Sequence, residues 1–214
     1  FELARHNMIE QQIRPWDVLD QQVLDIIARV PREDFVPERY RNLAFSDVAI
    51  PLGHDAAMLK PNVEGRILQA LALKPTDHVL EVGTGSGYLT ACLAQLAASV
   101  VSVDIVPELT EAARQKLKAL GASNVVLHSG DASQGWGGRR YDAIVMSGSV
   151  ALVDDIWRQS LNLDGRLFVV VGQPPVMEAL LITRVGEQEW TQESLFDTAL
   201  APLRNAAPVP AFEF

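Results

Sequence analysis

The sequence predicts an α/β fold: a mostly parallel, seven-stranded sheet with helices on both faces, an antiparallel C-terminal hairpin and an N-terminal helical cover. Three observations carry that expectation. From His78 onward, short and near-continuous apolar runs alternate with segments of helical period, as expected of strands covered on both faces. After Gly172, two apolar runs follow one another with no room for a helix between them, which predicts antiparallel strands at a sheet edge. The chain has 214 residues, 48% of them hydrophobic, enough to bury a full core in one compact unit.

Residues 1–75 read as the helical cover with an extended loop inside it. Leu19, Val23, Ile26, Ile27 and Val30 recur at helical spacing, and Pro31 closes the segment. Between Pro37 and Pro61 the periodicity fails, and Pro51 and Gly53 punctuate the chain. That predicts a long ordered loop, and loops of this length in compact domains are usually functional. A second helix begins near Pro61 and puts Val63, Ile67, Ala70 and Leu71 on one face.

Residues 76–198 read as the sheet core, with parallel strands predicted at 79–82, 100–104, 125–128, 143–146 and 167–171. The helix between the first two carries Leu89, Cys92, Leu93 and Leu96 on one side, which makes Cys92 a core residue rather than a nucleophile. The next helix opens at Pro107, carries Leu109, Ala113, Leu117 and Leu120, and ends at Gly121, which suits the left-handed position after a helix. Residues 179–185 and 190–198 form the predicted hairpin around Gly186. Residues 199–214, with Pro202, Pro208 and Pro210, are expected as an extended surface tail.

Composition narrows the function classes. With 27 acidic and 18 basic side chains the formal charge is −9, which argues against a surface built to neutralise nucleic-acid phosphates. The one cysteine cannot form an internal disulfide, and the sequence opens without a basic segment followed by an apolar one. A cytoplasmic protein is expected on those grounds. The longest uncharged stretch, 82–103, holds three glycines and several hydroxyl side chains, so no membrane span is predicted. No metal-ligand spacing is read.

The strongest local signal is the string Val79-Leu80-Glu81-Val82-Gly83-Thr84-Gly85-Ser86-Gly87-Tyr88, a strand running through a glycine loop into a helix. Glycines there permit positive φ and close backbone approach, and the free N–H groups at the helix start favour polar or anionic ligand groups. Taken alone, the loop also suits a tight strand-to-helix turn without a ligand. Asp104 ends the next strand, where nucleotide-binding folds of this kind place an acid on ribose hydroxyls. The glycine spacing is G-x-G-x-G, with Tyr88 where a nicotinamide dinucleotide site needs its third glycine, and that shifts the expected cofactor to S-adenosylmethionine. Asp131, after Gly130 at the third strand's end, is placed to accept from an adenine amino group; singly, it also suits a turn residue.

These motifs, with Met8-Ile9-Glu10, the string Val30-Pro31-Arg32-Glu33-Asp34-Phe35-Val36-Pro37-Glu38, then Ala44-Phe45-Ser46-Asp47, Ile50-Pro51-Leu52-Gly53 and Tyr141-Asp142-Ala143-Ile144-Val145, resemble the protein-L-isoaspartate O-methyltransferase family. The resemblance covers most of the chain. It implies a class I methyltransferase fold, Rossmann-like, and repair methylation of the carboxylate of isomerised aspartate in proteins or peptides. Carried over by residue, it implies that Gly83, Thr84, Gly85, Ser86 and Gly87 line the methionine and ribose and that Glu81 fixes the loop. Asp104 with Ile105 would hold the ribose side, and Asp131 with Ala132 would meet the adenine.

One stretch departs from the family pattern. After Gly53 the family continues toward a Thr-x-Ser pair, whereas this chain reads His54-Asp55-Ala56-Ala57-Met58-Leu59-Lys60-Pro61, with Ala57 at the threonine position and Leu59 at the serine position. An isoaspartyl carboxylate is already ionised at neutral pH, so methyl transfer to it needs no general base. The site must hold the oxygen in line with the methyl group and exclude water. Losing a positioning hydroxyl costs about one to three kcal/mol, or about ten- to a hundred-fold in rate. His54 and Asp55 are candidate acid/base groups for a different acceptor that must lose a proton, or solvated loop residues. Lys60 is a candidate charge for a carboxylate, and Ser147, matching a family threonine, a candidate pocket residue. Isoaspartyl methylation, methylation of another acceptor and cofactor binding without turnover all remain open on the sequence.

Overall fold

The computed structural model describes residues 1–206. Helix α1 (Glu2–Met8) runs on through a π-helical turn at Ile9–Ile13 and a 3-10 turn at Arg14–Trp16. Helix α2 (Gln21–Arg29) starts where the Asp20 carboxylate accepts from the N–H groups of Gln22 and Val23, satisfying donors that a helix start leaves free. Val23, Ile26 and Ile27 are buried, but Leu19 precedes the cap and is 66% exposed, so the apolar stripe begins one turn later than the spacing alone implies.

The stretch expected as one long loop contains a 3-10 segment at Glu38–Leu43 and then a small antiparallel hairpin, β1 (Ile50–Gly53) with β2 (Ala56–Met58). Its two-residue turn, His54 and Asp55, has φ of 54° and 57°, the left-handed conformation at both positions that lets a tight turn match the twist of its strands. Helix α3 (Pro61–Leu71) follows with proline at its start.

The core then builds as β3 (His78–Val82), α4 (Tyr88–Leu96), β4 (Ser99–Asp104), α5 (Pro107–Leu120), β5 (Val125–Ser129), β6 (Tyr141–Val150), α6 (Asp155–Gln159), β7 (Leu161–Gln173), β8 (Val176–Arg184) and β9 (Trp190–Asp197). The seven-stranded sheet has the order β5-β4-β3-β6-β7-β8-β9. The first five of these strands are parallel, and β8 and β9 close the edge antiparallel. This is the class I, Rossmann-like arrangement expected, with β6 and β7 longer than the sequence runs suggested. Alternation along the strands divides the core: Val79, Val100, Ala143 and Phe168 pack with the N-terminal helices, and Leu80, Val103, Ile144 and Leu167 pack on the opposite face.

The chain leaves β3 toward β4 and β5 on one side and returns to β6 on the other. That reversal opens a crevice at the carboxyl ends of β3 and its neighbours, where open α/β sheets take ligands. Residues 199–206 do not trail away from it. Ser149, near the end of β6, donates its N–H to the Ala201 carbonyl at 2.9 Å and accepts from the Leu203 N–H at 2.7 Å, so the segment lies across the strand ends. The rest of the predicted tail, 207–214, lies outside the described residues. Among the described residues no helix is long and apolar enough to cross a membrane.

Candidate active site

The glycine loop leaves β3 with three residues in left-handed conformations, Gly83 at φ 98°, Gly85 at 52° and Gly87 at 84°. Space is short at two of them as well: a Cβ at Gly87 would meet the Ala113 Cβ at 2.9 Å, closer than such atoms pack, and one at Gly83 would press on the Ser147 Cβ at 3.1 Å. The loop is held to the next strand by a carboxylate. Asp104 accepts from the Gly85 N–H at 2.8 Å through one oxygen and from the Val106 N–H at 2.9 Å through the other. Each oxygen retains a lone pair for a ligand hydroxyl.

Beneath the loop lies a buried polar chain. Thr84 and Ser102 share a hydrogen bond at 2.6 Å, Ser102 donates to Glu81 Oε2 at 2.6 Å, and Thr90 donates to the same oxygen. Burial pushes the Glu81 carboxyl up to about 8. Its other oxygen, Oε1, is buried and has no hydrogen-bond partner among the described residues. Glu81 lines a small cavity of about 30 Å³ together with Gly83, Gly85, Leu59 and Ser147.

The wider space opens between the strand ends and the β1–β2 hairpin. A cavity of about 210 Å³ has Gly83, Gly85, Asp104, Ile105 and Ser147 on one wall and Asp55, Ala56, Ala57, Met58 and Leu59 on another; residues 199–204 form its cover. A contiguous cleft of about 50 Å³ runs past Asp104 and Ile105 to Asp131 and Ala132. A larger depression, about 300 Å³ between α5 and β5, sits away from the strand ends and gathers none of these groups. Convergence of polar groups, rather than volume, locates the site.

The hairpin is positioned by Arg32, from the proline-flanked string of the N-terminal region. Its guanidinium donates to the Ala44 carbonyl at 2.8 Å, to the Leu59 carbonyl at 2.7 Å and to the Glu64 carboxylate, and it stacks over the Tyr88 ring at 4.7 Å. Burial lifts Glu64 to about 7 against the pull of Arg32.

The structure brings together Gly83, Thr84, Gly85, Ser86, Glu81, Asp104, Ile105, Asp131 and Ala132 with Ala57, Leu59 and Ser147 around these connected spaces. Gly87 stands behind them as the first residue before α4. Asp55 reaches the cavity wall, whereas His54 forms the hairpin turn beside it. Lys60 is exposed at the start of α3, off the lining of these cavities. Asp131 accepts from the Ser133 N–H at 2.9 Å and from the Asn205 side chain at 2.8 Å, and these bonds hold its carboxyl below the usual range. Sequence reasoning passed over two groups: Asn205, and Arg204, which lines the cavity and donates to the His54 carbonyl. Both lie in a proline-bearing tail whose composition carries no signal of where it docks.

The residues fit S-adenosylmethionine on the structure's own terms. An unpartnered buried carboxylate oxygen suits a cationic amino-acid end, a glycine cradle admits close approach, and two aspartates fixed by backbone N–H groups, Asp104 and Asp131, offer acceptor oxygens of the kind that hydroxyl and amino groups of a nucleoside require.

The family model described as protein-L-isoaspartate(D-aspartate) O-methyltransferase matches residues 3–207. A protein-L-isoaspartate O-methyltransferase of Rhodopseudomonas palustris is 37% identical over 201 residues, spanning 93% of this chain and 92% of the relative. One from Marinobacter nauticus is 36% identical over the same shares of the two chains. Among solved structures, a Plasmodium falciparum protein described as a putative protein-L-isoaspartate O-methyltransferase in complex with S-adenosyl-L-homocysteine superposes with a TM-score of 0.78 at 19% identity, covering 95% of this chain and 97% of that one.

Proposed function

The chain belongs to the protein-L-isoaspartate(D-aspartate) O-methyltransferase family, an S-adenosylmethionine-dependent methyltransferase, and from that premise we propose that its acceptor is the free carboxylate of isomerised aspartate in proteins or peptides. One observation carries the reading: the glycine loop and Asp104 line one side of a cavity whose opposite wall is the β1–β2 hairpin, and the neighbouring cleft carries on past Asp104 to Asp131. The single buried thiol, Cys92, supports a reducing compartment such as the cytoplasm.

The residues divide the work. Glu81 Oε1 would meet the cationic amino-acid end of the cofactor, Asp104 the ribose hydroxyls, and Asp131 with Ala132 the adenine. When bound, S-adenosylmethionine supplies an electrophilic sulfonium methyl group. The acceptor carboxylate needs no base, since it is ionised well below neutral pH. What the protein adds is position and dryness: Ala57, Met58 and Leu59 from the hairpin and Leu200 and Leu203 from the cover enclose the meeting point with apolar surface, while Ser147 offers a hydroxyl at its base. Alignment within such an enclosure replaces the entropy that two free reactants would lose.

Transfer of labelled methyl groups to an aged protein, followed by release of label as methanol in mild alkali, tests the proposal. Label entering aged but not freshly prepared substrate supports it. Label absent from both, with S-adenosylhomocysteine bound in calorimetry, overturns the acceptor assignment and keeps the cofactor assignment.

A further inference from the structure

Resting on that acceptor assignment, we propose that Arg204 is the acceptor-binding residue of this chain, a cation that pairs with the substrate carboxylate where the hairpin offers no hydroxyl. The hairpin presents Ala57, Met58 and Leu59 to the cavity, none of which donates a side-chain hydrogen bond. An ionised carboxylate entering so apolar a wall needs a partner to offset its lost hydration. The two acidic side chains in the lining, Asp55 and Asp104, repel it, and the chain's net charge of −9 offers no long-range attraction. Arg204 is the one cationic side chain in that lining.

Its placement is built. The Ser149 backbone bonds to Ala201 and Leu203 on either side of Pro202, and the Ser149 hydroxyl donates to the Leu200 carbonyl at 3.1 Å. Gly148 lets this segment approach closely, since a Cβ there would meet the Leu203 N and Cα at 3.0 Å. Arg204 follows directly and reaches across to the His54 carbonyl at the hairpin turn. Among the described residues no carboxylate pairs with it, so the remaining donors of its planar fork are free to bind a carboxylate. The tail thus brings to the cavity the charge that Lys60, displaced to the start of α3, does not supply there.

The test is binding of two labelled peptides to the protein with S-adenosylhomocysteine present, followed by fluorescence anisotropy: one contains isoaspartate, the other its uncharged amide counterpart. For Arg204→Gln the isoaspartyl peptide should bind about tenfold or more weakly, the amide peptide as in the wild type, and Arg204→Lys should recover part of the loss. An Arg204→Gln loss equal for both peptides, no loss at all, or a matching loss of S-adenosylhomocysteine affinity overturns the proposal. A wild-type protein that does not prefer the isoaspartyl peptide overturns the acceptor assignment itself, and that result is distinct from a wild-type preference which Arg204→Gln leaves intact.

Discussion

Arg32 donates from Nη2 to the carbonyl of Leu59 at 2.7 Å, so a residue of the N-terminal cover fixes the backbone at the point where the acceptor wall diverges from the family pattern. The same guanidinium holds Ala44 and Glu64. The cover and the hairpin are therefore one mechanical unit, held at the backbone of position 59 rather than through its side chain.

Removing that frame should be expensive. Arg32→Met leaves the buried Glu64 carboxylate without its partner, and losing one member of a buried pair typically costs about 3–5 kcal/mol. Arg32→Lys should also destabilise, because a single ammonium cannot span acceptors that a planar fork reaches together. Urea denaturation of the three proteins checks both.

Asp104→Asn keeps the side-chain shape but turns one acceptor into a donor, facing either the Gly85 or the Val106 N–H. A lost hydrogen bond to a charged group is worth about 1.5–3 kcal/mol. S-adenosylhomocysteine should bind about ten- to a hundred-fold more weakly in calorimetry, with the fold retained by circular dichroism.

The cavity wall predicts a gain of function. Ala57→Thr with Leu59→Ser restores hydroxyls on the side facing Ser147 and the glycine loop. The double variant should raise kcat/KM on an isoaspartyl peptide by about tenfold and leave cofactor affinity unchanged. Steady-state kinetics with a defined peptide reads the difference.

Glu81 gives a stability signature. Burial raises its carboxyl from an ordinary value of 4.5 to about 8, so between those values the folded cofactor-free protein holds a proton that the unfolded chain has released. Its contribution is fully present below about pH 4.5 and is lost as pH rises through about 8. Glu81→Gln cannot titrate, so its stability relative to the wild type should improve steadily from pH 5 to pH 8.5 in paired denaturation curves. Glu64, raised by burial to about 7, adds a slope of the same sign, and its charge is one of the influences that raise Glu81.

The sheet was legible because its parallel strands are buried on both faces: runs such as Val79-Leu80 and Ile144-Val145 leave little choice but a covered strand. The hairpin at 50–58 was not, since strands of four and three residues that include Pro51 and Gly53 carry too little alternation to read. The convergence of Gly83, Asp104 and Asp131 on one cleft was visible in their spacing, since each follows or ends a strand and the strand ends share one edge. Arg204 was invisible because its position depends on a backbone bridge between Pro202 and Ser149, far apart in the chain, that composition does not encode. Arg32 stood within a recognised string, yet its three acceptors, Ala44, Leu59 and Glu64, come from segments that only tertiary folding assembles.

The most direct measurement is methyl ester formation on a matched pair of peptides, one with isoaspartate and one with normal aspartate at the same position. The account predicts saturable transfer to the isoaspartyl peptide and none above background to its aspartyl counterpart. Equal transfer to both, or transfer to neither while S-adenosylhomocysteine binds, would contradict it.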